Sequence, residues 1–360
     1  MNNAVKLILV VTFAIAFLFG FLHLFLPGHD FERLHIFLFN LCGGGTMLIA
    51  YAQARRHAPL AVLFYSGSVA YTMSAYLQRY RIAILIAIAL AFLAEGVRAT
   101  RFQFFPIDIF RAATPVAEKY LHASLLCLSI SLALSSIVIW GHLAGFPLPR
   151  RLTLNIFFLG FSFPVSLATM SLISRNLNRL EAKAIKRIEE SIFWIITLGV
   201  VLFFAVILLE IIAAELAMAV MLSISVVILF AIHIWAGLDA PSRRSLTSGM
   251  GFLLLTAVTG SAYLAWKAID FGQEGGKMIL RMHAILSLYG WNMCGIILMS
   301  RAGISSINPL SVASLPRPVI VLHWMIVAIL APIGFYFKPM ALVAVAAYSV
   351  FLWLSLIRRG

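Results

Sequence analysis

The sequence predicts an all-α fold, a polytopic transmembrane helix bundle of about 12 spans with both chain termini in the cytoplasm. Three observations lead to this prediction. Of the 360 residues, 62% are hydrophobic and only 11% are charged, whereas a soluble domain is about a quarter charged. Apolar runs of about 20 residues, the length that crosses the hydrocarbon core, recur along the chain. Basic residues concentrate in alternate loops between these runs, as the positive-inside rule requires.

The apolar runs follow one another so closely that residues 1–360 are predicted to form a single integral membrane domain. The first run is too long for the hydrophobic part of a signal peptide and has no small-residue cleavage site after it, so we assign it as a span. Only a short link near Glu215 separates runs seven and eight, and only Lys338 and Pro339 separate the last two. The predicted spans are 4–26, 35–53, 58–77, 82–97, 120–141, 152–174, 191–210, 214–236, 248–266, 281–300, 318–337 and 339–357.

The distribution of basic residues gives the orientation and the compartment. With both termini cytoplasmic, 18 of the 27 Lys and Arg residues fall in cytoplasmic segments, which predicts a multi-pass protein of the cell inner (cytoplasmic) membrane. The net charge of +14 is then explained by anionic lipid at that surface. No basic run is long enough for a nucleic-acid groove. The expected partners are therefore the lipid bilayer and, as a further candidate, another membrane or redox subunit.

Several segments outside the apolar runs carry specific predictions. Residues 98–119 contain prolines and aromatic residues and are predicted to be an interfacial connection. Residues 175–190 place charges at helical spacing, which predicts a solvated helical extension with a Lys186–Glu190 pair. Glu210 and Glu215 flank a short link and have no cation near them in the sequence.

Of the nine histidines, His23 lies near the outer end of the first predicted span, and five others lie inside later predicted spans. Ionisable side chains are costly in a membrane, so their positions indicate function. A single imidazole near a helix end also serves as an interfacial or helix-bonding group, and that structural explanation stays open for each one taken alone. The five residues are His35, His122, His233, His283 and His323.

Two of these histidines share their surroundings. His35 follows Arg33 by two residues at the start of the second span, and His283 follows Arg281 in the same way at the start of the tenth. The topology places both at the outer membrane surface. A neutral imidazole from each helix could bind one haem iron from both sides, while the two arginines could bind the haem propionates.

The same two spans continue with a second shared pattern, Asn-x-Cys-Gly, at residues 40–43 and 292–295. The spacings from histidine to asparagine differ by about one helical turn, so the asparagine lies on a similar face of both helices. In the second span two more glycines follow, and they predict either close helix packing or a cofactor edge against the backbone. The cysteines have no zinc-binding spacing and are predicted to be small buried hydrophobes.

The other three histidines lie toward the cytoplasmic side in the predicted topology. His122, His233 and His323 belong to spans five, eight and eleven. Three imidazoles could bind copper, another transition metal or a second haem. This group is a second predicted metal site.

Two segments resemble a known group of proteins. His283, with the Tyr-Gly-Trp at 289–291 and the Met-Ser-Arg-Ala-Gly at 299–303, resembles a late span of NnrS-like and haem–copper oxidase subunit I-like membrane proteins. The segment 32–35 leading into Phe39 is similar to an early ligand-bearing span of the same groups. The chain lacks the paired histidines and the His-x-x-x-Tyr of an oxidase. The resemblance therefore implies haem or metal binding in a twelve-helix bundle, without oxygen reduction.

These observations predict a haem- or metal-binding inner-membrane protein with a role in redox chemistry or in handling a small diatomic gas. They leave open whether it is an enzyme. Two alternatives remain: a cofactor-free transporter or permease, which suits the intramembrane glycines and prolines, and a structural membrane subunit that accompanies a partner complex.

Overall fold

A computed structural model describes residues 3–26, 31–53, 58–177, 182–236, 240–269, 271–302 and 315–358 of the chain. Within these ranges the fold is all-helical, without a strand, and twelve long helices follow one another. Each of them contains most of one predicted span. The helices are α1 Asn3–Leu22, α2 32–52, α3 Ala58–Tyr76, α4 Tyr80–Arg101, α5 Val116–Leu143, α6 Arg150–Leu177, α7 Lys183–Leu209, α8 Ile212–Trp235, α9 Ala240–Ala268, α10 273–302, α11 317–334 and α12 338–357.

Ten of the helices in the described ranges are long and apolar enough to cross a membrane. Those ten are all of the helices above except α3 and α6. A helix satisfies its backbone N–H and C=O groups by hydrogen bonds within itself. A segment in hydrocarbon needs this because lipid tails offer no hydrogen-bond partner. The chain is therefore a multi-pass membrane protein.

The helix ends differ from the apolar runs in a consistent way. Helix α7 begins at Lys183, well before the apolar run at 191, because backbone hydrogen bonding continues into the polar interface. The predicted helical extension is therefore confirmed for residues 183–190, whereas residues 178–181 lie outside the described part of the chain. Glu210, with φ of 59°, ends α7 in the left-handed conformation, so the link to α8 is very short. Lys338 and Pro339, predicted as a linker, instead open α12, since proline is well tolerated in the first helical turn.

The connection between α4 and α5 is shorter than the predicted segment 98–119, because α4 continues to Arg101 and α5 begins at Val116. A single short 3₁₀ turn at Pro106–Ile109 interrupts it. Phe104, Phe105 and Phe110 are each about two-thirds exposed. Exposed aromatic rings beside the end of a span are typical of the membrane–water boundary.

Helices α2 and α10 form the centre of the bundle. In each, 78% of the most apolar stretch is buried within the protein, compared with 22% in α7. Helix α2 contacts α1, α3, α6 and α10. Helices α7 and α8 lie at the periphery and expose most of their apolar surface to lipid.

Glycines allow the central helices to approach one another closely. A Cβ built on Gly43 would lie 2.2 Å from Cε1 of Phe13, and one on Gly295 would lie 1.7 Å from Oγ1 of Thr169. The predicted close packing of the α2 glycines is therefore confirmed. Small residues serve this purpose in membranes because van der Waals contact drives helix association there.

Four segments of the described helices are wound as π-helix. They interrupt α2, α10 and α11 and end α12. Such wide turns are rare and often lie at functional sites, so they direct attention to the region where α2, α10 and α11 meet. The segments are Phe37–Gly45, Leu286–Asn292, Ile326–Leu330 and Trp353–Ile357.

Candidate functional site

The two Asn-x-Cys-Gly patterns meet at the crossing of α2 and α10. Asn292 Nδ2 donates hydrogen bonds to Ser162 Oγ at 2.8 Å and to Asn40 Oδ1 at 3.4 Å. Both asparagines are almost completely buried. Their placement on similar helix faces, predicted from spacing, thus becomes a direct contact between the π-helical segments.

An aromatic cluster fills the space next to this crossing. The Tyr289 ring lies 4.6 Å from Phe17, 5.1 Å from Phe39, 5.7 Å from Tyr348 and 6.5 Å from the His35 imidazole, measured between centroids. The hydroxyls of Tyr289 and Tyr348 are buried and have no hydrogen-bond partner among the described residues. A buried hydroxyl normally has a partner, so this cluster offers donors to a bound group.

The outer pair of histidines occupies two different environments. The His35 ring lies beside Tyr289. His283 instead points toward α9, where its Nδ1–H donates to the Thr256 carbonyl at 2.9 Å and its ring lies over Gly260. The described contacts of the two imidazoles are thus with different helices, and a haem iron shared between them stays a prediction.

The two arginines assigned to haem propionates lie near the ends of their helices. Arg33 is exposed. The Arg281 guanidinium lies 5.5 Å from the centre of the Phe335 ring, in a cation–π contact. Their role as propionate ligands stays a prediction.

His323 is the most completely oriented of the predicted ligands. Its Nε2–H donates to the Tyr289 carbonyl at 2.7 Å, within the π-helical segment of α10. Its Nδ1 accepts from the Cys294 thiol at 3.8 Å. Phe351 stacks on the ring at 4.2 Å. A nitrogen and a sulfur atom therefore face each other in a buried apolar space.

Cys294, predicted to be only a small buried hydrophobe, makes a contact that its surroundings in the sequence do not reveal. Its side chain is buried as expected, yet its sulfur faces an imidazole from another helix. The sequence separation of Cys294 and His323 is not a metal-binding spacing, so no local pattern could have revealed the contact.

Each histidine of the second predicted site has a hydrogen-bond partner of its own, and their role as metal ligands stays a prediction. No three His, Cys, Asp or Glu side chains come together as metal ligands in the part of the chain that the structure describes. His122 accepts a hydrogen bond from Arg98 at 2.5 Å, and His233 shares one with Thr247 at 3.1 Å. All three histidines are buried. His233 and His323 both contact α9, at Thr247 and Phe252, whereas the described contacts of His122 lie on and just after α4.

Several charged residues near His122 form a layer at one end of the bundle. We call this end the N-face, because α1 begins there and α2 ends there. Arg98 binds Glu95 of its own helix and the Gln103 carbonyl. The layer continues across α5, α6 and α7 through Arg101, Glu118, Arg175, Lys119 and Glu190.

Two members of this layer are cations that are almost fully buried. Arg98 and Lys119 are each only 1% exposed. Lys119 pairs with Glu190 at 2.5 Å, so the predicted Lys186–Glu190 pair is wrong. The buried Lys119 ammonium needs a counter-charge, whereas the exposed Lys186 is hydrated by water, so the Glu190 carboxylate pairs with Lys119.

The carboxylates of the α7–α8 link also have partners that the sequence does not show. Glu210 pairs with Arg151 at 3.0 Å, and Glu215 pairs with Lys267 at 3.0 Å and with Arg151 at 3.6 Å. They therefore join the α7–α8 link to α6 and α9 at the end of the bundle opposite the N-face.

The function of the chain has to be inferred from the chemistry of the site. No family model matches the chain, and no curated protein and no solved structure matches it. The region that combines π-helical backbone, oriented imidazoles and buried hydroxyls is the candidate functional site. It comprises His35, Tyr289, Cys294, His323 and Tyr348, with His283 at its edge.

Proposed function

We propose that this chain is an inner-membrane protein of twelve spans that binds haem or a transition metal in redox chemistry or in handling a small diatomic gas. One observation carries the proposal. His283 and His323 each have one ring nitrogen fixed by a backbone carbonyl of a neighbouring helix. Histidines that bind a metal usually donate their other N–H to such a group, which fixes the tautomer and the ring orientation.

The two oriented histidines suit different centres. His323 Nδ1 lies next to the Cys294 thiol, and a pair of soft or borderline ligands favours copper. His283 keeps Nε2 as its free nitrogen, and together with His35 it suits haem, with Arg33 and Arg281 for the propionates. Copper or haem, when bound, would supply one-electron chemistry.

The residues around the site would control the access of water to a bound cofactor and the polarity of its surroundings. Phe351, Phe17 and Phe39 exclude water from the space next to His323 and Tyr289. The unpartnered hydroxyls of Tyr289 and Tyr348 would donate hydrogen bonds to a bound group. Apolar surroundings with a few fixed polar groups are typical of cofactor sites.

An absorption spectrum and a metal analysis test this proposal. The protein purified in mild detergent is expected to show a Soret band or to retain iron or copper. His283→Gln should weaken haem retention and His323→Gln copper retention, each by at least about tenfold, because replacing even an outer-shell partner costs that much.

His142→Gln serves as the matched control, since His142 is an exposed residue at the end of α5 and its replacement should leave binding unchanged. Purified wild-type protein without a Soret band, iron or copper would contradict the proposal. Equal retention by all three variants would contradict the ligand assignment.

A cofactor-free transporter is the second candidate, and the π-helical interruptions of α2, α10 and α11 favour it. Transporters place irregular helices at their substrate sites. This candidate predicts solute flux in proteoliposomes that survives His283→Gln and His323→Gln. A flux that is lost together with the absorption band would instead favour the cofactor.

The proposed orientation has both termini in the cytoplasm. A green fluorescent protein fused after residue 360 is expected to fluoresce in cells, whereas alkaline phosphatase fused there should be inactive. As a control, phosphatase inserted after Gly145, between α5 and α6, should be active. The reverse pattern of activities would show that the topology is inverted.

A further inference from the structure

A groove runs along the lipid-facing side of the bundle between α7 and α8. Its volume is about 770 Å³, within the range of ligand sites. Ile192 and Ser225, each 2% exposed, form its floor, while Val220 and Ile224, 42% and 54% exposed, form its rim. The groove exists because small side chains line it, including Ala217 of α8.

Three cations lie at the N-face end of this groove. Arg187 lines the groove itself. Lys183 is one turn before Arg187 on α7 and therefore on the same helix face, and Lys186 is adjacent. All three are exposed. No salt bridge within the described ranges involves any of them.

Among the described residues, the packing of α7 turns the nearby carboxylates away from the groove. Glu190, the acidic residue nearest in helical spacing, turns inward to Lys119 and Trp194. Glu189 is also buried. Helix α7 therefore directs its acidic side chains into the protein and leaves its basic ones at the membrane surface.

We propose that the groove binds one anionic phospholipid, with an acyl chain along α8 and the phosphate on Lys183, Lys186 and Arg187. The walls match a hydrocarbon chain because they are apolar and open to the bilayer. The mouth matches an anionic headgroup because it presents three exposed cations at the polar start of α7. Basic pockets between transmembrane helices are known to bind anionic lipid in this way.

Native mass spectrometry of the full-length protein tests this proposal. The protein is exchanged from detergent into nanodiscs of phosphatidylcholine and phosphatidylglycerol in equal amounts and then released. We expect the wild type to retain one phosphatidylglycerol at least about tenfold more often than phosphatidylcholine. A tenfold ratio corresponds to about 1.4 kcal/mol, which attraction of three cations to an anionic headgroup can supply.

Two variants separate the headgroup from the chain. The triple change Lys183→Gln, Lys186→Gln and Arg187→Gln should remove the preference for phosphatidylglycerol while leaving the groove open. Ala217→Trp should fill the groove and reduce retention of both lipids. Ala217 is exposed, so the larger side chain does not enter the protein core.

Arg79→Gln with Arg81→Gln is the matched control, because both residues are exposed cations at the opposite end of the bundle. This variant should retain phosphatidylglycerol as the wild type does. Equal retention of the two lipids by the wild type would overturn the proposal. An unchanged preference in the triple variant would overturn it as well.

Discussion

Gly295→Ala is expected to destabilise the protein by about 3 kcal/mol, near the upper end of the usual cost of overpacking a core. The new methyl group would lie 1.7 Å from Thr169 Oγ1 and 2.8 Å from Thr169 Cβ. Thr169 cannot move aside, because it is fully buried and its hydroxyl is bonded to the Val165 carbonyl. Helices α6 and α10 would have to separate at the centre of the bundle.

The loss of stability can be measured by thermal unfolding in detergent, followed by tryptophan fluorescence and by the monodisperse fraction on gel filtration. Gly96→Ala is the matched control: it is also a glycine in a transmembrane helix, and a Cβ there meets nothing within 4 Å. That change should be neutral or stabilising by up to about 1 kcal/mol.

A second-site change tests the cause of the effect. Thr169→Ala removes the hydroxyl that meets the new methyl group, so the double variant Gly295→Ala/Thr169→Ala should recover part of the lost stability. If Gly295→Ala were as stable as Gly96→Ala, the close approach of α6 and α10 would be incorrect.

Arg98→Met is expected to cost about 3–5 kcal/mol, the usual penalty for removing one partner of a buried ion pair. The guanidinium is 1% exposed and donates to Glu95, to His122 Nε2 at 2.5 Å and to the Gln103 carbonyl at 3.0 Å. Without it, the Glu95 carboxylate loses its counter-charge and the connection to α5 loses its attachment to α4.

Unfolding in detergent together with limited proteolysis between α4 and α5 would measure this effect. Arg111→Met is the control, because Arg111 pairs with Asp108 at 3.1 Å but is 52% exposed. An exposed pair contributes at most about 1 kcal/mol. The double variant Arg98→Met/Glu95→Gln should be more stable than Arg98→Met alone. Equal effects of Arg98→Met and Arg111→Met would contradict the buried role of Arg98.

The helical spans were predictable because hydrocarbon imposes a single requirement on every one of them. A backbone in lipid must satisfy its own hydrogen bonds, so about 20 apolar residues specify a helix wherever they occur. The predicted run at 120–141 and the helix Val116–Leu143 differ only at their ends. The error there has one cause: a helix continues into the interface, where composition no longer distinguishes it from a loop.

The contacts of individual polar residues were not predictable in the same way. Asn40 and Asn292 were recognised as equivalent from their surroundings, and the structure brings them into contact. Glu190 was assigned to Lys186 on its own helix, whereas it binds Lys119 of α5. The spacing of residues in the sequence indicates which side chains are neighbours on the same helix. A partner on another helix depends on which faces of the two helices pack together.

The sequence by itself determined the membrane environment, the helical fold and the approximate ends of the spans, because each depends on local composition alone. Only the tertiary structure decided which helices lie at the centre, that His323 faces Cys294, and that His122 and His233 bond to Arg98 and Thr247. The physical reason is that lipid tails are as apolar as the helix surfaces, so no hydrophobic driving force favours one arrangement of the helices over another. The arrangement is set by the fit of small residues such as Gly295 and by a few buried polar contacts, which act between residues far apart in the chain.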